Sequence, residues 1–429
     1  MVSLKQNDAL VIGGGPAGCT VSTLLAEKGW TVTLLEKERF PRYHVGESLM
    51  PLCYFTLERL GLVEQLNRSG ATRKYSVQFA STEGELSQPF YFFQHLDHEA
   101  ATTWQVRRAD FDLMLMQNAR AKGVQVHEGV SAKKLLREDS GKISGVVAKA
   151  DDGTETNHEA SLVIDATGRD AFAQSKLGWR QRDPQLNKVA IWTLYEGAKR
   201  DPGLDAGATT IAYVPNKGWF WYIPLQDDRL SVGLVAERDY LYDGSTRDPA
   251  AIFEREIEKS AFIQDHLEGA RCTGDWWVTG EYSYRSKFCA DDGLLLVGDA
   301  FGFLDPVFSS GVFLALKSGE LAADTVDAAL REGDVSGARF ADYGRTLCRG
   351  IENMRKLVYA FYDEGFSFGA VVREHPEVRG ALTDCLIGDL FRKDYGNLFS
   401  AVSDFARLPS TLDYGSEPAP SKRAAATSA

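Results

Sequence analysis

The pattern of apolar and polar residues predicts a strand, a loop, a helix and a second strand at the start of the chain. Residues 9–12 are four consecutive apolar residues, which is typical of a buried strand, and the glycine-rich segment 13–18 follows directly. Apolar residues then recur at helical spacing until Gly29 ends the helix. A second strand covers residues 31–35 and leads into Glu36.

The remainder of the chain alternates between strand patterns and helical patterns. Strands are predicted over residues 74–79, 88–93, 104–107, 124–127, 130–136, 143–149, 155–158 and 162–164, and helices over residues 51–60 and 110–122. Residues 188–237 are rich in strand patterns and indicate a second sheet. A helix over 250–260, a buried strand over 293–299 and a long helix over 312–330 follow, and the chain stays helical to about residue 407.

These patterns predict an α/β fold whose first domain is discontinuous. The doubly wound domain takes residues 1–73, 104–187 and 281–330, and an antiparallel β-sheet domain on the substrate side takes residues 74–103 and 188–280. A helical C-terminal region covers residues 331–414. Residues 415–429 contain no large apolar residue, so we expect a disordered tail there.

Composition and charge narrow the class of protein. Of the 429 residues, 44% are hydrophobic and 25% are charged, which is ordinary for a globular protein. The net charge of −12 argues against nucleic acid or an anionic membrane as a partner. Six cysteines show no metal-ligand spacing, so we expect free thiols and no metal. No apolar run has transmembrane length and the first eight residues do not resemble a signal peptide, so we expect a cytoplasmic location and no membrane insertion.

The glycine-rich segment fits the dinucleotide-binding pattern G-x-G-x-x-G with Gly13, Gly15 and Gly18. One glycine permits the tight turn, one lets the backbone approach a pyrophosphate, and one lets the helix pack on the strand. Glu36 stands where an acid that binds a ribose is expected. The alternative is a glycine-rich turn without a ligand, but the strand, helix and acid around it favour a dinucleotide site.

Three segments together resemble the FAD-binding pattern of the para-hydroxybenzoate-hydroxylase-like flavoproteins. They are GGGPAG with Glu36, VIDATGR at 163–169 and LLLVGDA at 294–300. The resemblance implies that FAD is the dinucleotide, that Asp299 bonds the ribityl chain and that Arg108 lies near the flavin. No second G-x-G-x-x-G precedes a strand and helix, so we infer no dedicated NAD(P)H domain.

Further segments resemble one branch of those flavoproteins, the flavin-dependent halogenases. PRYHVGESL at 41–49, WFWYIP at 219–224 and FLDPVFSSG at 303–311 resemble three motifs of that branch. Lys74 stands where the family has its active-site lysine. By itself, a lysine beside Arg73 is more often a solvated charge at a strand edge.

The resemblance implies a reaction as well as a cofactor. Reduced FAD (FADH2) and O2 give a flavin C4a-hydroperoxide, a bound halide (chloride or bromide) attacks its distal oxygen, and hypohalous acid forms. A lysine at a separate site then holds the hypohalous acid or becomes a haloamine, and an electron-rich aromatic ring is halogenated. Halide binding requires preorganised N–H donors, such as the start of a helix provides. We expect a separate flavin reductase to supply the reduced flavin.

The glycine pattern and the resemblance together assign four groups of site residues. Cofactor binding is assigned to Gly13, Gly15, Pro16, Ala17, Gly18, Glu36, Lys37, Arg42, Glu47, Ser48, Arg108, Asp165, Gly168, Gly298, Asp299, Pro306 and Gly311. Halide binding is assigned to Ser310 and Gly311, and catalysis is assigned to Lys74. The residues of the family motifs that would line the tunnel between the flavin and the substrate site are Trp219, Trp221, Ile223, Pro224 and Phe308. The alternating aromatic residues around Trp219 fit burial in a sheet core equally well.

Two other functions fit the same motifs. One is an FAD-dependent aromatic monooxygenase that uses NAD(P)H, and the other is a flavoprotein that modifies or matures a partner protein. The WFWYIP segment weighs against the monooxygenase.

The substrate class is narrowed by one position. Tryptophan halogenases carry a glutamate where this chain has Phe308, so the resemblance points to a phenol or a pyrrole, free or tethered to a carrier protein. Carrier proteins are typically acidic, and the candidate basic pairs for docking one are Lys199-Arg200 and Arg392-Lys393. The sequence is compatible with both a free and a carrier-tethered substrate.

Overall fold

The computed structural model describes residues 7–183, 185–215, 218–280 and 283–420. The strands are β1 Asn7–Ile12, β2 Val32–Glu36, β3 Thr72–Lys74, β4 Ser76–Ala80, β5 Phe90–Tyr91, β6 Thr103–Gln105, β7 Gln125–Glu128, β8 Val130–Arg137, β9 Ile143–Ala150, β10 Glu155–Asp165, β11 Arg180–Arg182, β12 Lys188–Glu196, β13 Thr209–Val214, β14 Gly218–Pro224, β15 Arg229–Glu237, β16 Arg271–Cys272, β17 Trp277–Gly280, β18 Tyr284–Ser286, β19 Ala290–Asp291, β20 Leu294–Leu296 and β21 Gly302–Phe303. The helices are α1 Pro16–Glu27, α2 Cys53–Arg59, α3 Val63–Arg68, α4 Arg108–Ala121, α5 Phe172–Leu177, α6 Arg238–Leu241, α7 Pro249–Ile257, α8 Ala261–Leu267, α9 Ser310–Glu332, α10 Ala341–Tyr362, α11 Phe368–Glu374, α12 Arg379–Ile387 and α13 Gly396–Ser403. In the part of the chain that the structure describes, no helix has both the length and the apolar character needed to cross a membrane.

The first sheet has the strand order β19-β20-β10-β1-β2-β7. The strands from β20 to β7 run parallel, and β19 pairs antiparallel with β20 at one edge. The register places Ile12, Asp165 and Leu296 side by side at the carboxyl ends of β1, β10 and β20. Because the loops after parallel strands leave from the same edge, the three segments that follow these residues converge there.

Close packing of helices supports this edge of the sheet. Helix α1 follows β1, and α9 packs against it where Gly319 faces the Ala17 carbonyl. A Cβ atom at Gly319 would lie only 2.7 Å from that oxygen, so a glycine is needed for the approach. The α/β fold class that the sequence predicted is confirmed, and the domain boundaries stay predictions.

The second sheet has the order β16-β12-β15-β14-β13-β4-β5, with β17 also paired to β12. Its central strand β14 is buried along its whole length, because both of its faces are covered. Trp219, Trp221 and Ile223 belong to the core shared with the first sheet. Phe220 and Tyr222 belong to a second core with α7 and α8. The alternation along β14 therefore places two tryptophans on the face that looks toward the first domain.

The single strand predicted over residues 74–79 is wrong, because the chain changes sheet at Tyr75. Strand β3 pairs with β6, where Lys74 lies opposite Thr103, whereas β4 pairs in parallel with β13. Propensity does not reveal such a change of partner, since both halves favour extended structure. Lys74 consequently lies at the junction of the two sheets.

The disorder predicted for residues 415–429 is wrong for residues 415–420, which are ordered. The Gly415 amide donates to the Lys287 carbonyl at 3.0 Å, and the Ala419 amide donates to the Ala290 carbonyl at 2.8 Å. The Cys289 amide in turn donates to the Glu417 carbonyl at 3.1 Å. These backbone hydrogen bonds to β19 and to the residues before it hold the segment in place, although the segment has no large apolar side chain to bury. Residues 421–429 lie outside the described residues.

Candidate active site

A cavity occupies the edge of the parallel sheet where the three loops converge, and it extends to the face of β14. It is lined by glycine-loop residues, by residues from the segment 41–49 and by residues next to α9. The predicted site residues among them are Gly13, Gly15, Pro16, Ala17, Glu36, Lys37, Arg42, Glu47, Ser48, Arg108, Gly168, Trp219, Trp221, Ile223, Asp299, Pro306 and Gly311. The structure therefore brings together three segments that are spread over nearly 300 residues of the sequence.

The glycine loop has the shape that a pyrophosphate requires. Gly13 has a φ of +104°, and a Cβ atom there would overlap the Ala166 carbonyl oxygen. A Cβ atom at Gly18 would overlap the Gly13 carbonyl. At Gly15, by contrast, the nearest atom is 3.9 Å away on Arg42, so this position is open to the cavity. The open backbone lies at the start of α1, whose first N–H groups lack helical partners and suit a phosphate.

Glu36 is held in one orientation at the end of β2. Its Oε2 accepts from the Gly14 amide at 2.6 Å, and its Oε1 accepts from the Glu38 amide at 2.8 Å. Lys37, beside it, forms an ion pair with Asp170 at the rim of the cavity. A fixed carboxylate at this position can accept from the hydroxyls of a ribose, so the residues present fit the adenosine half of FAD.

A buried carboxylate fixes the segment 41–49 against α4. Asp112 accepts from Arg108 Nε at 2.8 Å and Nη2 at 2.9 Å, and from Arg42 Nη1 at 3.0 Å. Arg108 also donates to the Val45 carbonyl at 2.7 Å. Burial by itself would raise the pKa of Asp112, but the charge and hydrogen bonds of Arg108 hold it below its ordinary value. The two arginines therefore meet the cavity with their guanidinium groups already positioned.

Two further acidic residues face the cavity, and both have a raised pKa. Burial raises the pKa of Asp299 to about 6, although Arg169 and Arg108 oppose the shift. Burial likewise raises the pKa of Glu47 to about 7, against the hydrogen bond that the Gly46 amide donates at 3.1 Å. Both carboxyl groups can thus hold or release a proton near neutral pH.

Several predicted residues lie behind the cavity wall and shape it. Gly18 and Gly298 are packing positions, and a Cβ atom at Gly298 would lie 2.9 Å from that of Ala17. Asp165, predicted to bind the cofactor, is fully buried and accepts from Thr167 and from the Ala173 amide, so it holds the turn after β10. Pro224 is buried at the end of β14.

The start of α9 forms the wall beside the predicted halide site. Ser309 has a φ of +56°, which turns the chain so that α9 begins at Ser310. Gly311 lines the cavity, and the buried Ser310 hydroxyl has no hydrogen-bond partner among the residues that the structure describes. Phe308 points away and packs edge-on against Phe361 and Phe368. An open helix start beside an unpartnered hydroxyl can hold a small anion.

The opposite wall is formed by the two tryptophans of β14. Trp219 Nε1 donates to the Tyr362 hydroxyl at 2.8 Å, which donates to Asp305 at 2.9 Å. Trp221 Nε1 donates to the Ser231 hydroxyl at 3.0 Å, and its ring lies directly over Gly233 of β15. Each ring is therefore fixed by one hydrogen bond as well as by packing.

Lys74 lies outside this cavity but next to it. Its side chain is 2% exposed, and Nζ donates to the Ser48 hydroxyl at 2.8 Å and to the Leu49 carbonyl at 3.4 Å. Nζ also lies 5.6 Å from the centre of the Phe92 ring. Burial lowers the pKa of Lys74 to about 7, with a small opposing effect of Cys53. Close to neutral pH this side chain is thus a mixture of ammonium and free amine.

Sequence reasoning missed several residues of the cavity. Thr209 and Ile211 of β13 line it, as do Thr167 and Arg169 after β10. The period of two along β13 would place Thr209 and Ile211 on the same face. This alternation does not predict that the face meets the loop of residues 41–49, because that contact depends on the packing of one sheet on the other.

The fold and the cavity define an FAD-dependent enzyme, and comparison with known proteins gives the family. The family model for tryptophan halogenase matches residues 8–102 and 93–366. The chain is 35% identical over 394 residues to a 1H-pyrrole-2-carbonyl-[peptidyl-carrier protein] brominase of Pseudoalteromonas luteoviolacea, covering 91% of this chain and 94% of that protein. It is 29% identical to the corresponding chlorinase of Pseudomonas fluorescens, over 90% and 89% of the two chains. The chain belongs to the flavin-dependent halogenases.

Solved structures agree with this assignment. The flavin-dependent brominase Bmp2 superposes with a TM-score of 0.83 at 29% identity, over 94% of this chain and 97% of that one. The myxobacterial chondrochloren halogenase CndH superposes with a TM-score of 0.78 at 30% identity, over 94% and 96%. The predicted family is therefore confirmed, while the roles of individual residues stay predictions.

The glycine loop gives a first test, because two of its glycines differ in their surroundings. We expect Gly15→Ala to fold normally but to weaken FAD binding about tenfold or more, since the methyl group enters the space for the pyrophosphate. We expect Gly13→Ala to lower the stability of the cofactor-free protein by more than about 1 kcal/mol, because of overlap and positive φ. FAD titration and thermal unfolding measure the two effects. Gly380→Ala in α12 is the control, and normal FAD binding by Gly15→Ala would contradict the assignment.

The burial of Lys74 gives a test by stability. Its pKa is about 7 in the folded chain against 10.5 in the unfolded chain, so between these values the unfolded state holds a proton that the folded state lacks. Stability therefore rises with pH through this window, and the full penalty is present below pH 7. We expect Lys74→Met to be the more stable protein by up to about 5 kcal/mol at pH 6 and by almost nothing above pH 10.5.

Denaturant unfolding across this pH range measures the difference between parent and variant. Lys134→Met, at an exposed position of β8, is the control and is expected to show no such dependence. A constant difference between parent and Lys74→Met from pH 6 to pH 10 would show that Lys74 keeps an ordinary pKa.

Proposed function

We propose that this enzyme halogenates an electron-rich aromatic ring, a pyrrole or a phenol, with reduced FAD, O2 and chloride or bromide, and that Lys74 carries the halogen-transfer step. The observation that supports this most directly is the position of Lys74. A buried amine with a pKa near 7 lies one hydroxyl group away from the FAD cavity and outside it. Such a group can receive a small electrophile made at the flavin without touching the flavin itself.

FAD, when bound and reduced, supplies the oxidising equivalent from O2 that turns halide into hypohalous acid. The open backbone at Gly15 and the start of α1 would hold the pyrophosphate, and Glu36 the adenosine ribose. Arg42 and Arg108, fixed by Asp112, would hold the segment 41–49 against the cofactor. These contacts would orient the cofactor.

The halide would lie at the start of α9. There Gly311 lines the cavity, and the Ser310 hydroxyl is buried with no hydrogen-bond partner in the described part of the chain. Helix α9 is 23 residues long, and the positive end of its dipole would face a halide bound there. A halide needs donors rather than a shaped ligand, so two or three N–H and O–H groups are sufficient.

Lys74 has two ways to use hypohalous acid. As an ammonium group it donates a hydrogen bond that holds the acid toward the ring. As a free amine it attacks the halogen, so that an N–X bond forms, the O–X bond breaks and water leaves with the amine proton. Its pKa of about 7 makes both forms available near neutral pH.

The relatives support a pyrrole substrate more than free tryptophan. The brominase and the chlorinase named above act on a pyrrole-2-carbonyl group on a carrier protein, and both match this chain over nearly its whole length. Phe308 also takes the position where tryptophan halogenases have a glutamate. The two basic pairs considered for carrier docking are partly neutralised, because Lys199 pairs with Asp265 and Lys393 with Asp384. We therefore propose a pyrrole or phenol ring as the substrate, and a comparison of free with carrier-bound substrates tests whether the ring must be tethered.

The central test is to separate flavin oxidation from halogenation. We expect Lys74→Ala to bind FAD and to consume reduced flavin within about threefold of the parent, because Lys74 does not line the cavity. Halogenated product should fall at least about 100-fold. Lys74→Arg keeps charge and donors but forms a haloamine poorly, so its residual activity decides between the two roles of the lysine.

Product is measured by mass spectrometry against pyrroles and phenols, free and carrier-bound. Arg73→Ala, the neighbouring cation, is the matched control and should halogenate normally. Halogenation by Lys74→Ala at the parent rate would refute the catalytic role of the lysine. If the parent protein consumes no halide with any of these pyrroles and phenols, the proposed function is refuted.

A second test concerns the electron source. We expect the pure protein to oxidise NADPH alone very slowly and to turn over with chemically reduced FAD or with a separate flavin reductase, since the chain has one glycine loop of the dinucleotide type. NADPH oxidation is followed by absorbance with and without the aromatic substrate. Fast oxidation stimulated by substrate would instead favour the NAD(P)H-dependent monooxygenase.

A further inference from the structure

A line of polar side chains crosses the wall between the cavity and Lys74. Lys74 Nζ donates to Ser48 Oγ at 2.8 Å, and Ser48 Oγ lies 2.9 Å from Thr209 Oγ1. The Gln105 amide nitrogen donates to Thr209 Oγ1 at 2.8 Å and to the Gly207 carbonyl at 3.0 Å. Ser48 and Thr209 both line the cavity, and all four polar side chains are buried.

Counting protons along this line shows what the hydroxyls can do. When Lys74 is an ammonium group it donates to Ser48, and Gln105 donates to Thr209, so the ends of the line are both donors. One of the two hydroxyls donates to the other, and the remaining hydroxyl proton points to the cavity. When Lys74 is a free amine it still has two N–H groups, so it can donate one of them to Ser48 and keep its lone pair free. If Thr209 donates to Ser48, the Ser48 proton is then available to an acceptor in the cavity while the amine is nucleophilic.

Ser48 is the contact of Lys74 that can pass a proton on. Among the residues that the structure describes, Nζ also meets the Leu49 carbonyl and the Phe92 ring, neither of which carries an exchangeable proton at that site. The titratable group that faces Lys74 from α2 is Cys53, and burial raises its pKa to about 12, so it stays a neutral thiol. Within the described ranges, Ser48 alone connects the amine to the cavity through a hydroxyl group.

We propose that Ser48 is the proton carrier of the halogen-transfer step, and this role rests on the proposed function. Hypohalous acid at the cavity wall accepts a hydrogen bond from Ser48 through its oxygen, which turns its halogen toward Lys74. As Nζ attacks the halogen, the N–X bond forms and the O–X bond breaks. The amine proton passes to Ser48 Oγ, the Ser48 proton passes to the leaving oxygen, and water is released.

This role differs from the cofactor contact that the sequence resemblance assigned to Ser48. A contact to FAD would make Ser48→Ala lose affinity for the cofactor. A proton carrier makes the same variant lose product per flavin oxidised, and it also alters the pKa of Lys74, because an ammonium group loses an acceptor.

The experiment compares Ser48→Ala with Ser48→Thr, which keeps the hydroxyl, in the full chain at saturating reduced FAD. We expect halogenated product per flavin oxidised to fall about 10- to 100-fold in Ser48→Ala and to recover in Ser48→Thr. The pH at half-maximal yield should move down by about one unit in Ser48→Ala and not in Thr209→Val, which keeps the bond between Lys74 and Ser48. Thr56→Val, a buried hydroxyl of α2 bonded to Glu320, is the matched control and should behave as the parent.

A second readout uses the protein without cofactor. Lysine labelled with ¹³C at Cε reports the pKa of Lys74 by NMR, and Lys74→Met assigns its resonance. We expect Ser48→Ala to lower this pKa by about one unit and Ser48→Thr to restore it. The proposal is overturned if Ser48→Ala keeps the parent's product yield, or if Ser48→Ala and Ser48→Thr are equally impaired with an unchanged pKa of Lys74. Absence of halogenation in the parent would refute the proposed function itself, which is a distinct result.

Discussion

The ion pair between Arg108 and Asp112 is the constraint on which the rest of the site depends. Asp112 is fully buried and receives three hydrogen bonds from two arginines, so removing it leaves uncompensated charge at a typical cost of about 3–5 kcal/mol. Through Arg108 and Arg42 it fixes the segment 41–49, and that segment carries Glu47 into the cavity and Ser48 to Lys74. One carboxylate on α4 thereby positions groups used at both ends of the proposed reaction.

Local sequence was sufficient for the parts of the site that are built from neighbouring residues. The glycine loop and Glu36 follow one another within one strand–helix–strand unit, so pattern and spacing predict them. Asp112 was not predicted, although it lies four residues after Arg108 on a helix, because a charged residue at that spacing usually indicates a solvated face. Thr209 was missed for another reason. Thr209 lines the cavity because the two sheets pack together, and no pattern within β13 predicts that contact.

The errors in the fold have the same origin. The strand predicted through Tyr75 is two strands, because pairing partners rather than propensity decide where a strand ends. Residues 415–420 lack large side chains yet bond to the backbone around β19. Low apolar content predicts disorder only where the segment finds no unpaired backbone N–H or C=O groups, such as those of a strand edge, to bond with. For β14, by contrast, the period of two was sufficient, and it separated the tryptophans that face the cavity from the aromatic residues of the second core.

The order of strands in the parallel sheet also sets when the cofactor site comes into existence during synthesis. Strand β1 begins at Asn7, its neighbour β10 ends at Asp165, and β20, which completes the edge, starts at Leu294. A ribosome must therefore release about two thirds of the protein before the loops proposed to hold FAD can meet. Such distant pairing slows folding and leaves sheet edges exposed meanwhile. A nascent chain shorter than about two thirds of the protein therefore lacks one wall of the proposed cofactor site.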